Sequence, residues 1–104
     1  MEQQLIDVSE KNLNIVQAIL KKYVPHYEVW AFGSRVKGRV KTYSDLDLVI
    51  MTDKPLSFGV HGDLAEAFSE SDLPWRVDIV DWATTSESFR KIIEQDKIIL
   101  QNKN

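Results

Sequence analysis

The chain has 104 residues, of which 43% are hydrophobic and 28% charged, and a formal net charge of −3 at pH 7. This length and composition predict a single globular domain over residues 1–104. The acidic balance argues against direct nucleic-acid binding, and the lack of cysteine excludes disulfides and thiolate metal sites. Neither a secretory signal nor a membrane-spanning apolar run is visible, so we expect a cytoplasmic protein without membrane contact.

The spacing of apolar residues predicts helices that alternate with strands. Ser9 can cap a first helix, and Pro25 ends it because proline pushes the preceding residue out of the helical region. There follow a strand at 27–32, a short helix at 34–40, a strand at 46–51, a helix at 57–71, a strand at 75–82, a helix opened by a capping box of Thr84 and Glu87, and a short edge strand at 97–101. This order predicts an α/β (α+β) fold, a small mixed sheet of three to four strands with helices packed against it.

Gly33 and Ser34 lie between the first predicted strand and a short predicted helix. Free backbone N–H groups at such a junction, together with a serine hydroxyl and the positive end of a helix dipole, favour an anion such as a terminal phosphate. Glycine suits the position because a Cβ atom would keep the phosphate away from the backbone. The alternative is a plain turn with a serine cap, since Gly-Ser is a common dipeptide.

Asp45 and Asp47 lie at the start of the second predicted strand. Residues two apart on a strand point to the same face, about 6.6 Å apart along the backbone, so the two carboxylates can converge. Their mutual repulsion disfavours ionisation, and bound Mg²⁺ would remove that cost because hard cations prefer carboxylate oxygens. Leu46 and Leu48 would face the other way and anchor the strand in the core. The alternative is a pair of aspartates at a solvated strand start.

Asp78 provides a candidate third carboxylate on the third predicted strand. Its neighbours on both sides are apolar, so we expect it to be buried in mid-strand, where a metal ion or another cation would have to offset the cost of its charge. Asp81 lies three positions further on and faces the other side, which leaves it a structural role at the end of the strand. An ion pair between Arg76 and Asp78 is the competing interpretation.

Four basic residues lie within seven positions beside the glycine turn: Arg35, Lys37, Arg39 and Lys41. Their charge could neutralise a triphosphate, and a solvated charged face is the alternative. Arg35 and Lys37 are closest to Ser34, so we predict that these two contact phosphate.

The two motifs together resemble the signature of the DNA polymerase β-type nucleotidyltransferase superfamily. They read Phe32-Gly33-Ser34 and, after ten further residues, Asp45-Leu46-Asp47-Leu48. The longer string, from Gly33 to Gly38 and on through 44–48, is similar to the minimal nucleotidyltransferase branch, the MNT proteins. One departure is Lys37, which stands where many relatives carry arginine and lacks the bidentate geometry of a guanidinium.

The resemblance implies the nucleotidyltransferase fold and a role for each motif residue. Gly33 and Ser34 would hold the β- and γ-phosphates of a nucleoside triphosphate, expected to be ATP. Asp45 and Asp47 would ligate two Mg²⁺ ions, and Asp78 would ligate one of them and help to deprotonate the attacking hydroxyl. Two metal ions about 4 Å apart can stabilise both the attacking and the leaving oxygen of an in-line displacement at the α-phosphate.

The resemblance also implies a partner protein. MNT proteins commonly pair with a helical HEPN protein as the antitoxin of a toxin–antitoxin module, and some transfer AMP to a tyrosine of that partner. We therefore expect a Mg²⁺-dependent transferase that moves NMP, in the first instance AMP, to a hydroxyl on a HEPN-type protein. The rivals are a non-catalytic antitoxin or regulatory subunit that occludes its partner, and a plain α/β domain with structural aspartates. The enzyme is favoured because every part of the site is present.

Ten aromatic residues in so short a chain are compatible with a partner-binding surface, because aromatic side chains are enriched at interfaces. Of the three tryptophans, Trp30 is expected in the core, whereas core and surface positions are both open for Trp75 and Trp82.

Overall fold

The computed structural model describes residues 6, 8–37 and 45–103, and within them helices and strands follow the predicted order. The elements are α1 (Glu10–Tyr23), β1 (Val29–Phe32), α2 (Ser34–Lys37), β2 (Leu46–Ile50), α3 (Phe58–Ser69), β3 (Val77–Asp81), a 3₁₀ turn (Trp82–Thr84), α4 (Glu87–Asp96) and β4 (Ile98–Gln101). The predicted continuation of α2 to residue 40 and the basic residues Arg39 and Lys41 lie outside the described residues.

The four strands form one mixed sheet in the order β3-β2-β1-β4. β1 is antiparallel to β2 and to β4, whereas β2 and β3 run parallel. The predicted mixed sheet and the edge position of β4 are therefore confirmed. No helix in the described part of the chain has the length and apolar content needed to cross a membrane.

The first helix has the predicted ends. The Ser9 hydroxyl accepts a hydrogen bond from the N–H of Asn12 at 3.2 Å, and α1 ends at Tyr23, two positions before Pro25. Ser57 caps α3 in the same way through the N–H of Val60. Serine caps thus fix where these two helices begin.

The predicted capping box of Thr84 and Glu87 is wrong. α4 is capped by Ser86, whose hydroxyl accepts from the N–H of Phe89 at 3.1 Å. Thr84 belongs to the 3₁₀ turn, and both its N–H and its hydroxyl donate to the carboxylate of Asp81. The Thr84 hydroxyl is therefore engaged with the preceding strand, and the next hydroxyl residue opens the helix.

The sheet separates two clusters of apolar side chains. On one face, Leu46, Leu48 and Ile50 of β2 are fully buried against α1 and α3, so the predicted anchoring of this strand is confirmed. On the other face, Trp30, Phe32 and Val49 pack with Phe89 and Ile93 of α4. Because side chains alternate along a strand, the odd-numbered residues of β2 share the face that α4 covers in part.

The predicted core position of Trp30 is confirmed. The side chain is 7% exposed, and its ring meets that of Trp82 edge to face, with the centroids 5.4 Å apart. Its indole N–H donates a hydrogen bond to the carboxylate of Glu28 at 2.5 Å, so the buried Nε1 atom has a hydrogen-bond partner.

Candidate active site

The three predicted carboxylates lie where β1 ends and β2 and β3 begin. Asp47 is paired with Phe32 of β1 on one side and with Asp78 of β3 on the other. Directly paired residues present their side chains to the same face of a sheet, so Asp47 and Asp78 share one face. Asp45, one position before β2, lies close enough to Asp78 for its charge and a side-chain hydrogen bond to raise the pKa of Asp78. The charge of Asp45 thus acts on Asp47 and Asp78, and the charge of Asp78 acts on Asp47.

Mutual repulsion contributes to the pKa values of Asp47 and Asp78. Burial, followed by the negative charges of Asp78 and Asp45, raises the pKa of Asp47 from 3.8 to about 6. The pKa of Asp78 is also raised, first by partial burial and then by the charge and hydrogen bond of Asp45. The positive charge of Arg76 lowers the pKa of Asp78 in part, so the predicted attraction between these two exists beside the acidic cluster. A cation at this place would relieve the repulsion.

The prediction that Asp78 is buried is wrong, because its side chain is exposed. β3 is an edge strand and pairs with β2 alone within the described residues. The apolar neighbours Val77 and Ile79 pack against the cluster on the opposite face, so their character says nothing about the surroundings of Asp78. This exposure leaves the Asp78 carboxylate accessible to a substrate from solvent.

Gly33 has a structural reason to be glycine that the sequence did not reveal. Its φ of +85° lies in the left-handed region, and a Cβ atom at this position would overlap Oδ2 of Asp47 and lie 3.1 Å from Cγ of the same side chain. The turn therefore makes room for the Asp47 side chain. Ser34 begins α2 directly after it, as predicted.

The donor set suits a hard divalent cation, although no preformed cage exists. Among the described residues, no three Asp, Glu or His side chains are grouped closely enough to hold a metal ion. Mg²⁺, however, is usually bound by one or two carboxylates together with substrate phosphates and water, so a complete protein cage is not required. The cluster of Asp45, Asp47 and Asp78, with two raised pKa values, fits that mode of binding.

Arg35 and Lys37 are the two cations predicted to contact phosphate, and the structure describes the side chain of Arg35. The Arg35 side chain is only 5% exposed, and its guanidinium carbon lies 4.5 Å from the centroid of the Trp75 ring. The Lys37 backbone ends α2, and its side chain lies outside the described part of the structure. The contact between Arg35 and Trp75 was missed at the level of sequence, where no signal links two residues so far apart.

Asp81 has the structural role that its position predicted. It is buried, and its carboxylate accepts hydrogen bonds from the N–H groups of Leu56 (2.9 Å) and Thr84 (3.1 Å). Burial by itself raises the pKa of Asp81, but these hydrogen bonds and the charge of His61 outweigh it, so the pKa is lowered. Asp81 thus joins the end of β3 to the segment before α3 and takes no part in the acidic cluster.

Comparison with known proteins identifies the family. The sequence matches the model described as polymerase beta, nucleotidyltransferase, over residues 14–104. The chain belongs to the polymerase β nucleotidyltransferase family. It is also 58% identical over 98 residues to a Haemophilus influenzae protein named "Probable protein adenylyltransferase MntA", and the alignment covers 94% of this chain and 86% of that protein. The predicted likeness to the minimal branch of this family is confirmed.

Solved structures of family members share the fold. A toxin–antitoxin structure with AMP-PNP has a TM-score of 0.74 and 23% identity, over 89% of this chain and 75% of that one. The tri-AMPylated Shewanella oneidensis HEPN toxin in complex with MNT antitoxin gives a TM-score of 0.66 and 22% identity, over 89% and 71%. These likenesses confirm the predicted nucleotidyltransferase fold.

Proposed function

We propose that this chain transfers AMP from ATP to a hydroxyl group of a helical HEPN-type partner protein, and that it acts in this way as the antitoxin of a toxin–antitoxin pair. The observation that carries the proposal is the meeting of Asp45, Asp47 and Asp78 beside Gly33. The name of the Haemophilus influenzae relative supports transfer of AMP to a protein, and the toxin–antitoxin structures with AMP-PNP and with an AMPylated HEPN toxin support both the nucleotide and the partner.

Each part of the site has a role in binding the nucleotide. Gly33 and Ser34 would hold the β- and γ-phosphates, Asp45 and Asp47 would ligate two Mg²⁺ ions, and Asp78 would ligate one of them. When bound, Mg²⁺ supplies the positive charge that offsets the repulsion between the carboxylates and the triphosphate.

Asp78 is the residue best placed to act on the acceptor. Its carboxylate is exposed, so a hydroxyl of the acceptor can reach it from solvent and pass its proton to it directly. The acceptor oxygen forms a bond to the α-phosphorus as the bond from that phosphorus to the bridging oxygen of the β-phosphate breaks. The hydroxyl proton passes to Asp78, and pyrophosphate leaves.

Of the two cations predicted to contact phosphate, Lys37 keeps that role in the proposal, whereas the buried Arg35 does not. We place the protein in the cytoplasm, where ATP and Mg²⁺ are available, and we treat residues 1–104 as one nucleotidyltransferase domain.

The test is transfer of label to the partner. The chain is purified with its HEPN-type partner, and the pair is incubated with Mg²⁺ and ATP labelled at the α-phosphate. We expect label on the partner that depends on Mg²⁺ and none from ATP labelled at the γ-phosphate, because the bond between the α- and β-phosphates is the one that breaks. Asp45→Asn with Asp47→Asn abolishes labelling, whereas Asp53→Asn, at an exposed aspartate outside the cluster, leaves it unchanged.

The same experiment separates the enzyme from an occluding antitoxin. If the wild-type pair gives no label, and the double variant still neutralises the partner, the chain acts by binding alone and the transferase proposal is wrong. If the double variant loses neutralisation together with labelling, AMP transfer is the means of neutralisation.

A further inference from the structure

The contact between Arg35 and Trp75 joins two segments that carry different parts of the site. The guanidinium carbon of Arg35 lies 4.5 Å from the centre of the Trp75 ring, close enough for a cation–π interaction. Arg35 is almost fully buried, and Trp75 is half-buried against the apolar cluster beneath the sheet. Such a contact is shielded from water and therefore holds its two segments firmly.

On one side of the contact, Arg35 is tied to the glycine turn. It follows Ser34 directly as the second residue of α2, and the N–H of Val36 donates to the carbonyl of Gly33 at 3.1 Å. α2 packs against β1 and β2. A displacement of the Arg35 side chain is therefore transmitted to the turn within one residue.

On the other side, Trp75 is tied to the strand that carries the third carboxylate. It is followed by Arg76, whose carbonyl accepts a hydrogen bond from the N–H of Leu46 at 2.9 Å. β3 begins at Val77, and Asp78 is its second residue. Trp75 therefore stands at the entry to β3, on backbone already joined to the start of β2.

We propose that Arg35 and Trp75 are positioning residues, whose stack holds the glycine turn at a fixed place relative to Asp78 and so sets the geometry in which triphosphate and carboxylates meet. This inference rests on the proposed function, because it assigns the phosphates to the turn. It differs from the prediction made from sequence, in which Arg35 binds phosphate with its own charge. Small misplacements of groups at a transfer site are costly, since about 1 Å can lower a rate by about 10²-fold.

The test measures the affinity for Mg²⁺ with α,β-methylene-ATP, an analogue in which the bond that the reaction breaks is replaced. Isothermal titration is carried out on the wild-type chain and on Trp75→Leu, Trp75→Phe, Arg35→Lys and the double variant Arg35→Lys with Trp75→Leu. Each is checked by circular dichroism and studied well below its melting temperature. We expect Trp75→Leu and Arg35→Lys each to weaken binding about tenfold, and the double variant to weaken it by clearly less than the roughly hundredfold of two independent effects, because the contact between the two side chains is lost in all three.

Two variants separate positioning from general stability. Trp75→Phe keeps an aromatic face for the guanidinium and should bind within about twofold of wild type. Trp82→Leu is the matched control, because Arg90 lies over Trp82 in the same kind of contact, 4.6 Å from the ring centroid, at the far end of β3. Trp82→Leu should lower the melting temperature of the chain and leave its affinity for the ATP analogue unchanged.

Several results would overturn the inference. One is wild-type affinity in Trp75→Leu together with weakened binding in Arg35→Lys, because Arg35 would then act on phosphate without its partner. Additive effects in the double variant, or equal weakening by Trp82→Leu, would also contradict it. If Trp75→Leu does not fold, Trp75→Met takes its place, with the same outcomes. Absence of binding by the wild-type chain is a distinct result, since it overturns the proposed function and the inference with it.

Discussion

Replacing Gly33 by alanine tests how far the glycine turn and the carboxylates depend on each other. The φ of Gly33 is +85°, which residues with a Cβ atom rarely adopt. A Cβ atom at this position would also overlap Oδ2 of Asp47 and lie 3.1 Å from its Cγ. The substitution therefore forces either the backbone of the turn or the Asp47 side chain to move.

The two effects can be given separate magnitudes. An ordinary residue in the left-handed region costs about 1–2 kcal/mol, and displacing the Asp47 side chain from its rotamer adds about 0.5–1.5 kcal/mol. We expect Gly33→Ala to lower the free energy of unfolding by about 1.5–3.5 kcal/mol. Binding of Mg²⁺ with ATP should weaken at the same time, because a proposed ligand has moved.

Urea unfolding in Mg²⁺-free buffer measures the first effect. Gly33→Ala is made in the wild-type chain and in an Asp47→Ala background, where the overlap is gone and only the backbone cost of about 1–2 kcal/mol should remain. Gly59→Ala in α3 is the control, since no atom lies within 4 Å of its Cβ position, and it should leave stability unchanged or raise it slightly. An equal cost of Gly33→Ala in both backgrounds would refute the argument from overlap.

Further predictions concern charge and helix capping. Burial, and then the charges of Asp78 and Asp45, raise the pKa of Asp47 to about 6, so its ionisation opposes folding. Without metal, the ionisation of Asp47 should lower the free energy of unfolding as the pH rises from about 4 to about 6, by at most about 3 kcal/mol before solvent screening. In urea titrations across that range, Asp47→Asn should remove this contribution, whereas the raised pKa of Asp78 leaves a contribution of the same sign. Asp81→Asn should lower stability by about 1–3 kcal/mol at pH 7 in the same assay, and by less once the pH falls below about 4, because the pKa of Asp81 is lowered in the folded chain and its stabilisation is lost as it becomes protonated. Ser86→Ala should cost about 1 kcal/mol in thermal unfolding, and no loss would contradict the assigned cap of α4.

Most of the fold could be predicted from local patterns. Apolar spacing indicated the order of the elements, and Ser9 marked the start of α1, because it precedes apolar residues at helical spacing. The start of α4 could not be predicted, since Thr84 and Ser86 both satisfy the pattern of a cap. The choice between them is made by Asp81, three residues before Thr84, because its carboxylate accepts the hydrogen bond of the Thr84 hydroxyl and caps the 3₁₀ turn.

The sequence was enough to predict which carboxylates belong to the candidate site, but not how exposed or buried their side chains are. The motif around Gly33 and the spacing of Asp45 and Asp47 indicated a cluster, and the parallel pairing of β2 with β3 places Asp78 beside it. The exposure of Asp78 depends on β3 being an edge strand, which no local pattern reports. Arg35 is buried and lies over the ring of Trp75, which is distant in the sequence, so no local pattern reports this contact.

The central claim is that Asp45, Asp47 and Asp78 bind divalent metal together with the triphosphate held at Gly33. The most direct test is a crystal structure of the chain with Mn²⁺ in place of Mg²⁺ and α,β-methylene-ATP, using the anomalous signal of manganese to find the ions. We predict anomalous peaks within coordination distance of the three carboxylates, with the β- and γ-phosphates against the turn at Gly33 and Ser34. Nucleotide bound elsewhere, or manganese absent from the three carboxylates while nucleotide is bound, would contradict the account.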